Sequence, residues 1–183
     1  AGGSASNTIY GLAKLNVEVG FIGKVGDDET GEFFGNDLKN NNIIPLLLKG
    51  NDKSGRAMAL ISKDSERTFA TFLGAAIELS DSDLTLEMFS SYNILHIEGY
   101  LVQNHDLMIK ALELAKDAGL KISLDLASYN VVDDNIDFLK HIIKEYVDIL
   151  FANEEEAKSF TGLNPEEALH DLSNYCEYAI VKI

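Results

Sequence analysis

From Ile94 onward the chain alternates short apolar runs with stretches of helical periodicity. Ile94–Ile97, Ile122–Leu126, Ile149–Phe151 and Ala179–Ile183 read as strands. Between them, Asp106–Ala118, Ile136–Tyr146, Glu154–Phe160 and a segment from Pro165 to about Tyr175 read as helices. Gly119 and Thr161-Gly162 supply stop signals, and Pro165 sits where its missing N–H costs nothing. Strands this apolar are buried on both faces, and parallel neighbours need a crossover between them. The pattern therefore predicts an α/β fold: a doubly wound, mostly parallel sheet with helices on both faces. Ligands of such sheets lie beyond the carboxyl ends of the strands.

The first half follows the same rhythm with one interruption. Ser6–Leu15 reads as a helix anchored by Ile9, Leu12 and Leu15, and Val17–Ile22 as a buried strand. Glu29–Lys39 reads as an amphipathic helix with Phe33, Phe34 and Leu38 on one side, and Pro45–Leu48 as a short apolar run. Ala57–Ser62 and Arg67–Phe72 then form two strands joined by the polar turn Lys63-Asp64-Ser65-Glu66, with no helix between them. Such a hairpin would project as a lid. Asp81–Phe89 reads as a further helix capped by Ser80 or Ser82. The reading is one domain over 1–183, with a β excursion at about 44–74.

Polar residues cluster where this architecture places ligands. At the start, Gly2 and Gly3 let the backbone approach a ligand closely, and Ser4 and Asn7 open the first helix, whose free N–H groups point the same way. The turn suits a polyhydroxy ligand; its plain alternative is a loop and N-cap. Glu98 follows a strand and can accept bonds from sugar hydroxyls, or serve as a loop charge. Asp125 lies near the end of the strand Ile122–Leu126, where burial is costly unless the charge is paired; it can help shape a substrate or phosphate site, or bond to neighbouring loop N–H groups. Asn153 and Glu156 follow a third strand, one helical turn apart. They can organise water around Mg²⁺, or serve as first-turn residues favoured by the helix dipole.

Composition narrows the classes. A formal net charge of −15 opposes binding of a nucleic acid polymer. The single cysteine, Cys176, cannot form an internal disulfide and fits a reducing cytoplasm. No run is apolar enough to span a membrane. The four histidines show no metal-ligand spacing, and no Walker A or dinucleotide-binding glycine pattern is present.

The two glycine-bearing segments of the first half carry a family resemblance. Gly2, Gly3, Ala5 and Asn7, with Gly23, Val25, Gly26, Asp28 and Gly31, resemble the N-terminal signature of the ribokinase-like (PfkB) sugar and nucleoside kinases. Ser4 makes the turn Gly-Gly-Ser, as in the adenosine-kinase-like branch. Ile9 stands where the family has a small residue, and Asn16 where it has Gly or Ser. The Asn153-Glu-Glu-Glu156 run matches the family's Asn-x-x-Glu.

The resemblance implies an ATP- and Mg²⁺-dependent kinase acting on a hydroxymethyl group of a sugar or nucleoside. Gly2, Gly3, Ser4, Asn7 and Glu98 would hold the substrate. Asn153 and Glu156 would serve the nucleotide, Glu156 reaching Mg²⁺ through water. Arg67 would close over the transferred phosphoryl group. Lids pair between two copies in some relatives, so a homodimer through the hairpin is consistent with the family. The family's Gly-Ala-Gly-Asp, whose Asp is the general base, does not occur in the chain. The chain is therefore expected to be a fragment, lacking the first strand and the C-terminal ATP-binding part and inactive alone. A non-catalytic binding protein of the same fold is the alternative.

Overall fold

A computed structural model describes residues 1–65 and 67–183, and Arg67 through its backbone alone. Glu66, in the predicted hairpin turn, lies outside the described residues, as does the side chain of Arg67. The chain divides into two compact units, Ala1–Asp83 and Leu84–Ile183.

The first unit opens with helix α1, Ser4–Lys14, then strand β1, Val19–Val25, helix α2, Glu29–Asn40, and strand β2, Ile43–Lys49. The two strands pair in parallel, Val19 opposite Ile43. Val19, Leu38 and Ile43 form the buried core, packed by Ile9, Tyr10, Leu12 and Ala13 of α1 and by Phe21, Phe34 and Leu47. Two predicted anchors lie elsewhere. Leu15 is 74% exposed, because α1 ends at Lys14 and Asn16 turns the chain at φ 61°. Asn is among the non-glycine residues that tolerate a positive φ. Phe33 is 61% exposed, since only Phe34 and Leu38, four residues apart, share the inward face of α2.

The glycine-rich turn after β1 is a packing device. A Cβ on Gly26 would lie 2.5 Å from the Asp52 carbonyl and 2.6 Å from the Ser54 nitrogen. Asp28 ties that turn together. It caps α2 by accepting from Gly31 N–H at 2.8 Å, and it accepts from Ser54 N–H at 3.0 Å and Ser54 Oγ–H at 2.6 Å. Those hydrogen bonds, Ser54 Oγ–H foremost, hold the Asp28 carboxyl down at a pKa of about 2.

The hairpin comprises β3, Arg56–Ile61, and β4, Arg67–Phe72, antiparallel with Ile61 opposite Arg67. Met58, Leu60, Ile61, Phe69 and Phe72 on it are all exposed, by 48% to 69%. Residues 43–49 belong instead to the parallel β1–β2 pair.

The predicted helix over 81–89 is instead two 3-10 turns, Asp81–Asp83 and Leu86–Met88. Asp83 explains the interruption: its carboxylate accepts from Lys24 Nζ at 2.8 Å and from the Ser80 N–H and hydroxyl, closing a local turn rather than facing solvent along a helix.

The second unit is a four-stranded parallel sheet in sequential order: β5, Ile94–Glu98; β6, Lys121–Asp125; β7, Ile149–Asn153; and β8, Tyr178–Lys182. The crossovers carry α3, His105–Asp117; α4, Tyr129–Asp134; α5, Ile136–Tyr146; α6, Glu154–Thr161; and α7, Pro165–Leu172. By register Ile97, Ile122, Leu124, Leu150 and Ala152 share one face, all 5% exposed or less. Gly119 and Gly162, both at φ 76°, follow α3 and α6 as the stop signals predicted. Helix α4 was not foreseen, and α7 ends three residues short of Tyr175 because Ser173 Oγ and Asn174 Nδ2 take the His170 carbonyl. The α/β class, the mostly parallel pairing and the small hairpin are those expected. No helix among the described residues is long and apolar enough to cross a membrane.

Candidate functional site

The last residues of the four parallel strands are Glu98, Asp125, Asn153 and Lys182. Register sets them in two rungs: Glu98 is opposite Asp125 and Asn153 opposite Lys182, and because Asp125 is opposite Phe151 the second rung stands two residues further along the same face. Parallel strands all end at the same edge, so four polar termini collect there while the apolar residues behind them build the core.

Asp125 Oδ2 accepts from Lys182 Nζ at 2.8 Å, and Oδ1 accepts from Ala127 N–H at 3.0 Å. Both offsets to burial expected for this carboxylate, pairing and a loop N–H, are thus present. Glu98 Oε1 lies 3.3 Å from His96 Nε2, and His96 Nδ1 lies 3.0 Å from Ser123 Oγ.

Asn153 caps α6. Its Oδ1 accepts from Glu156 N–H at 2.9 Å, while Glu156 Oε2 accepts from Asn153 N–H and Oε1 from Asn153 Nδ2–H, both at 2.8 Å. This is a reciprocal capping box. Glu156 is only 2% exposed. Burial pushes its pKa up; the Asn153 N–H and the Lys182 charge oppose that, and the Asp125 and Glu98 carboxylates reinforce it. Burial pulls Lys182 down, but the hydrogen bond to Asp125 and the surrounding carboxylates outweigh it, so the net shift is upward. Three carboxyl groups thus share one ammonium within electrostatic reach. Among the described residues, no group of three His, Cys, Asp or Glu side chains is placed to chelate a metal directly.

The remaining residues singled out from sequence lie in the first unit. Gly3 is the N-cap of α1 at φ 130°, with no capping side chain. The first-turn N–H groups therefore lack a side-chain acceptor. Gly2, Ser4 and Asn7 around it are exposed. The structure groups Glu98, Asn153 and Glu156 in the second unit, and it groups Gly2, Gly3, Ser4 and Asn7 in the first.

Two residues in contact with the strand-end carboxylates escaped sequence reasoning. Lys182 lies inside the otherwise apolar run Ala179–Ile183, and His96 in the middle of its strand. The usable signal was positional: Lys182 ends its strand as Glu98, Asp125 and Asn153 end theirs.

A profile described as pfkB family carbohydrate kinase matches residues 1–181. A 5-dehydro-2-deoxygluconokinase from Mesomycoplasma hyopneumoniae is 30% identical over 97% of this chain and 56% of its own length. A guanosine-inosine kinase from Escherichia coli is 29% identical over 88% of this chain and 40% of its own length. The adenosine kinase structure from Sinorhizobium meliloti superposes with a TM-score of 0.90 at 30% identity, covering 99% of this chain and 57% of that one. The chain spans about half the length of the curated relatives it matches. Across nearly its whole length, then, the chain belongs to the pfkB family of carbohydrate kinases.

Proposed function

We propose that this chain serves an ATP- and Mg²⁺-dependent kinase that phosphorylates a hydroxymethyl group of a sugar or nucleoside. The observation that carries the reading is the group of polar strand ends, Glu98, Asp125, Asn153 and Lys182, with buried Glu156 following Asn153. Relatives bearing sugar-kinase and nucleoside-kinase names share its fold at 30% identity.

In this reading Glu98 accepts bonds from substrate hydroxyls. Gly2, Gly3, Ser4 and Asn7 are the first unit's substrate residues. Lys182, held to Asp125, is an ammonium that can turn to a phosphate oxygen. Glu156 suits a hydrated cation. Each of its oxygens takes one bond from Asn153 and keeps capacity for another donor, and three carboxylates against one ammonium leave a local excess of negative charge. Mg²⁺ characteristically retains water ligands, so Glu156 would hold it through them. MgATP, when bound, supplies the phosphoryl group. Arg67 is assigned to that group's charge on the family pattern. The Gly-Ala-Gly-Asp general base is not among these residues.

The Gly-Gly-Ser turn and the adenosine and guanosine-inosine kinase relatives favour a nucleoside, and the 5-dehydro-2-deoxygluconokinase relative keeps sugars in the panel. The half-exposed apolar side chains of the hairpin support pairing between two copies, which sedimentation velocity with Phe69→Ser would test.

The primary test is ADP release by the polypeptide its natural gene encodes, with MgATP and adenosine, guanosine, inosine, ribose or fructose. Turnover with one substrate supports the kinase and names its class. Stabilisation by a panel member without turnover would overturn the chemistry and leave a binding protein.

A further inference from the structure

His96 occupies the middle of β5, two residues before Glu98, so the two side chains share one face of the strand. Across the sheet it is the register partner of Ser123. All three are sequestered: the His96 and Glu98 side chains are 15% and 13% exposed, and Ser123 is 5% exposed. The ring contacts both, Nδ1 at 3.0 Å from Ser123 Oγ and Nε2 at 3.3 Å from Glu98 Oε1.

Hydrogen-bond capacity orders this chain. An ionised carboxylate only accepts, so the nitrogen facing Glu98 must carry the proton. In the neutral ring Nδ1 is then the acceptor, and Ser123 is the group able to donate to it. The direction is Ser123 Oγ–H to Nδ1, and Nε2–H to Glu98. A histidine that merely filled space would need no such alignment of a hydroxyl on one side and a carboxylate on the other.

We infer that His96 is a positioning residue: through Nε2–H, with its tautomer set by Ser123, it fixes the orientation of the Glu98 carboxylate at the strand edge. This rests on the reading of Glu98 as a substrate group, and it adds a residue acting through Glu98 rather than on the substrate.

Two readouts separate the inference from that reading. Long-range ¹H–¹⁵N spectra of the histidine-labelled chain, at mildly alkaline pH, report the tautomer directly. The expected result is a dominant Nε2–H form in the wild type, with the bias weakened by Ser123→Ala and by Glu98→Gln. An even tautomer mixture, or a bias untouched by Glu98→Gln, overturns the inference whether or not any ligand binds.

The second readout is affinity for adenosine, guanosine, inosine, ribose and fructose by calorimetry. His96→Phe should weaken whichever binds by about tenfold or more. His96→Gln, whose amide N–H falls near the position of Nε2–H, should restore most of it. Equal affinity in the Phe variant would overturn the inference. Should Glu98→Gln leave binding of every panel member unchanged, the substrate reading of Glu98 fails on its own, and the tautomer spectra still decide the role of His96.

Discussion

Lys182 and Asp125 meet at 2.8 Å although their strands are not neighbours: β7 runs between β6 and β8. The pair therefore reaches across β7 rather than closing one rung of the sheet. Lys182 also lowers the cost of ionising Glu156, against the burial and the two carboxylates that raise its pKa.

Replacing Lys182 by Met should consequently move Glu156 further upward, followed by its ¹³C carboxyl shift across a pH titration. The stability change should stay small. The Lys182 side chain is 51% exposed, and such pairs contribute at most about 1 kcal/mol. A Glu156 titration unmoved by Lys182→Met would show that the ammonium does not act on it.

Glu156 itself separates cap from charge. The amide oxygen of glutamine can still accept from the Asn153 N–H, so Glu156→Gln keeps the reciprocal backbone bonds of the capping box while losing the ionisation and the acceptor for Asn153 Nδ2–H. Because the native pKa is raised, the folded state keeps a proton that the unfolded chain releases just above the ordinary glutamate range. Wild-type stability therefore falls as pH rises through that window and stays lowered above it. The stability of Glu156→Gln relative to wild type should improve from acid to neutral pH. Glu156→Ala, which breaks the cap, should lose about 1 kcal/mol or more across the range. Urea denaturation at several pH values checks both. A Gln variant whose relative stability worsens with rising pH would contradict the burial argument.

Asp28 titrates with the opposite sign. Its pKa is depressed to about 2 by Ser54 and Gly31 donors, so its contribution is present above the ordinary aspartate range and is lost as pH falls toward that value. Asp28→Asn places an amide N–H₂ where one of those donors needs an acceptor. Its melting temperature should lie below wild type at neutral pH, and the gap should narrow on acidification. A gap constant with pH would mean that the charge is irrelevant to the turn.

The sequence made most of the fold legible because buried parallel strands are apolar runs and their helices carry caps and stops of known chemistry. Where it failed, a tertiary partner or a short element was responsible. The helix expected over 81–89 depended on Asp83 facing solvent, whereas that carboxylate binds Lys24 and Ser80. Helix α4 spans six residues with only Val131 and Val132 buried, too short for a periodic signal. At the candidate site, Glu98, Asp125, Asn153 and Glu156 were visible because each follows an apolar run. Lys182 was missed because its meaning comes from register with β7 and an ion pair over it, neither of which is local.

The turn after β6 offers a last prediction. Ser128 N–H bonds to the Leu126 carbonyl at 2.9 Å, closing a three-residue turn around Ala127. Ala127 sits at φ 69°, in the hand of γ-turn that is rare and strained. Asp125 Oδ1 accepts from its N–H, and Tyr100 Oη–H bonds to its carbonyl at 3.2 Å, so side chains on both sides hold the strained residue. An L-residue at positive φ costs about 1–2 kcal/mol, and glycine there loses about 0.5–1 kcal/mol of chain entropy instead. Ala127→Gly should therefore raise stability by about 0.5–1 kcal/mol in urea denaturation. Combined with Asp125→Ala, which removes the side-chain acceptor, the same substitution should gain no more and gains less if the freed turn relaxes its strain. A loss of stability in Ala127→Gly would show that the Ala127 methyl packs well enough to outweigh its backbone conformation.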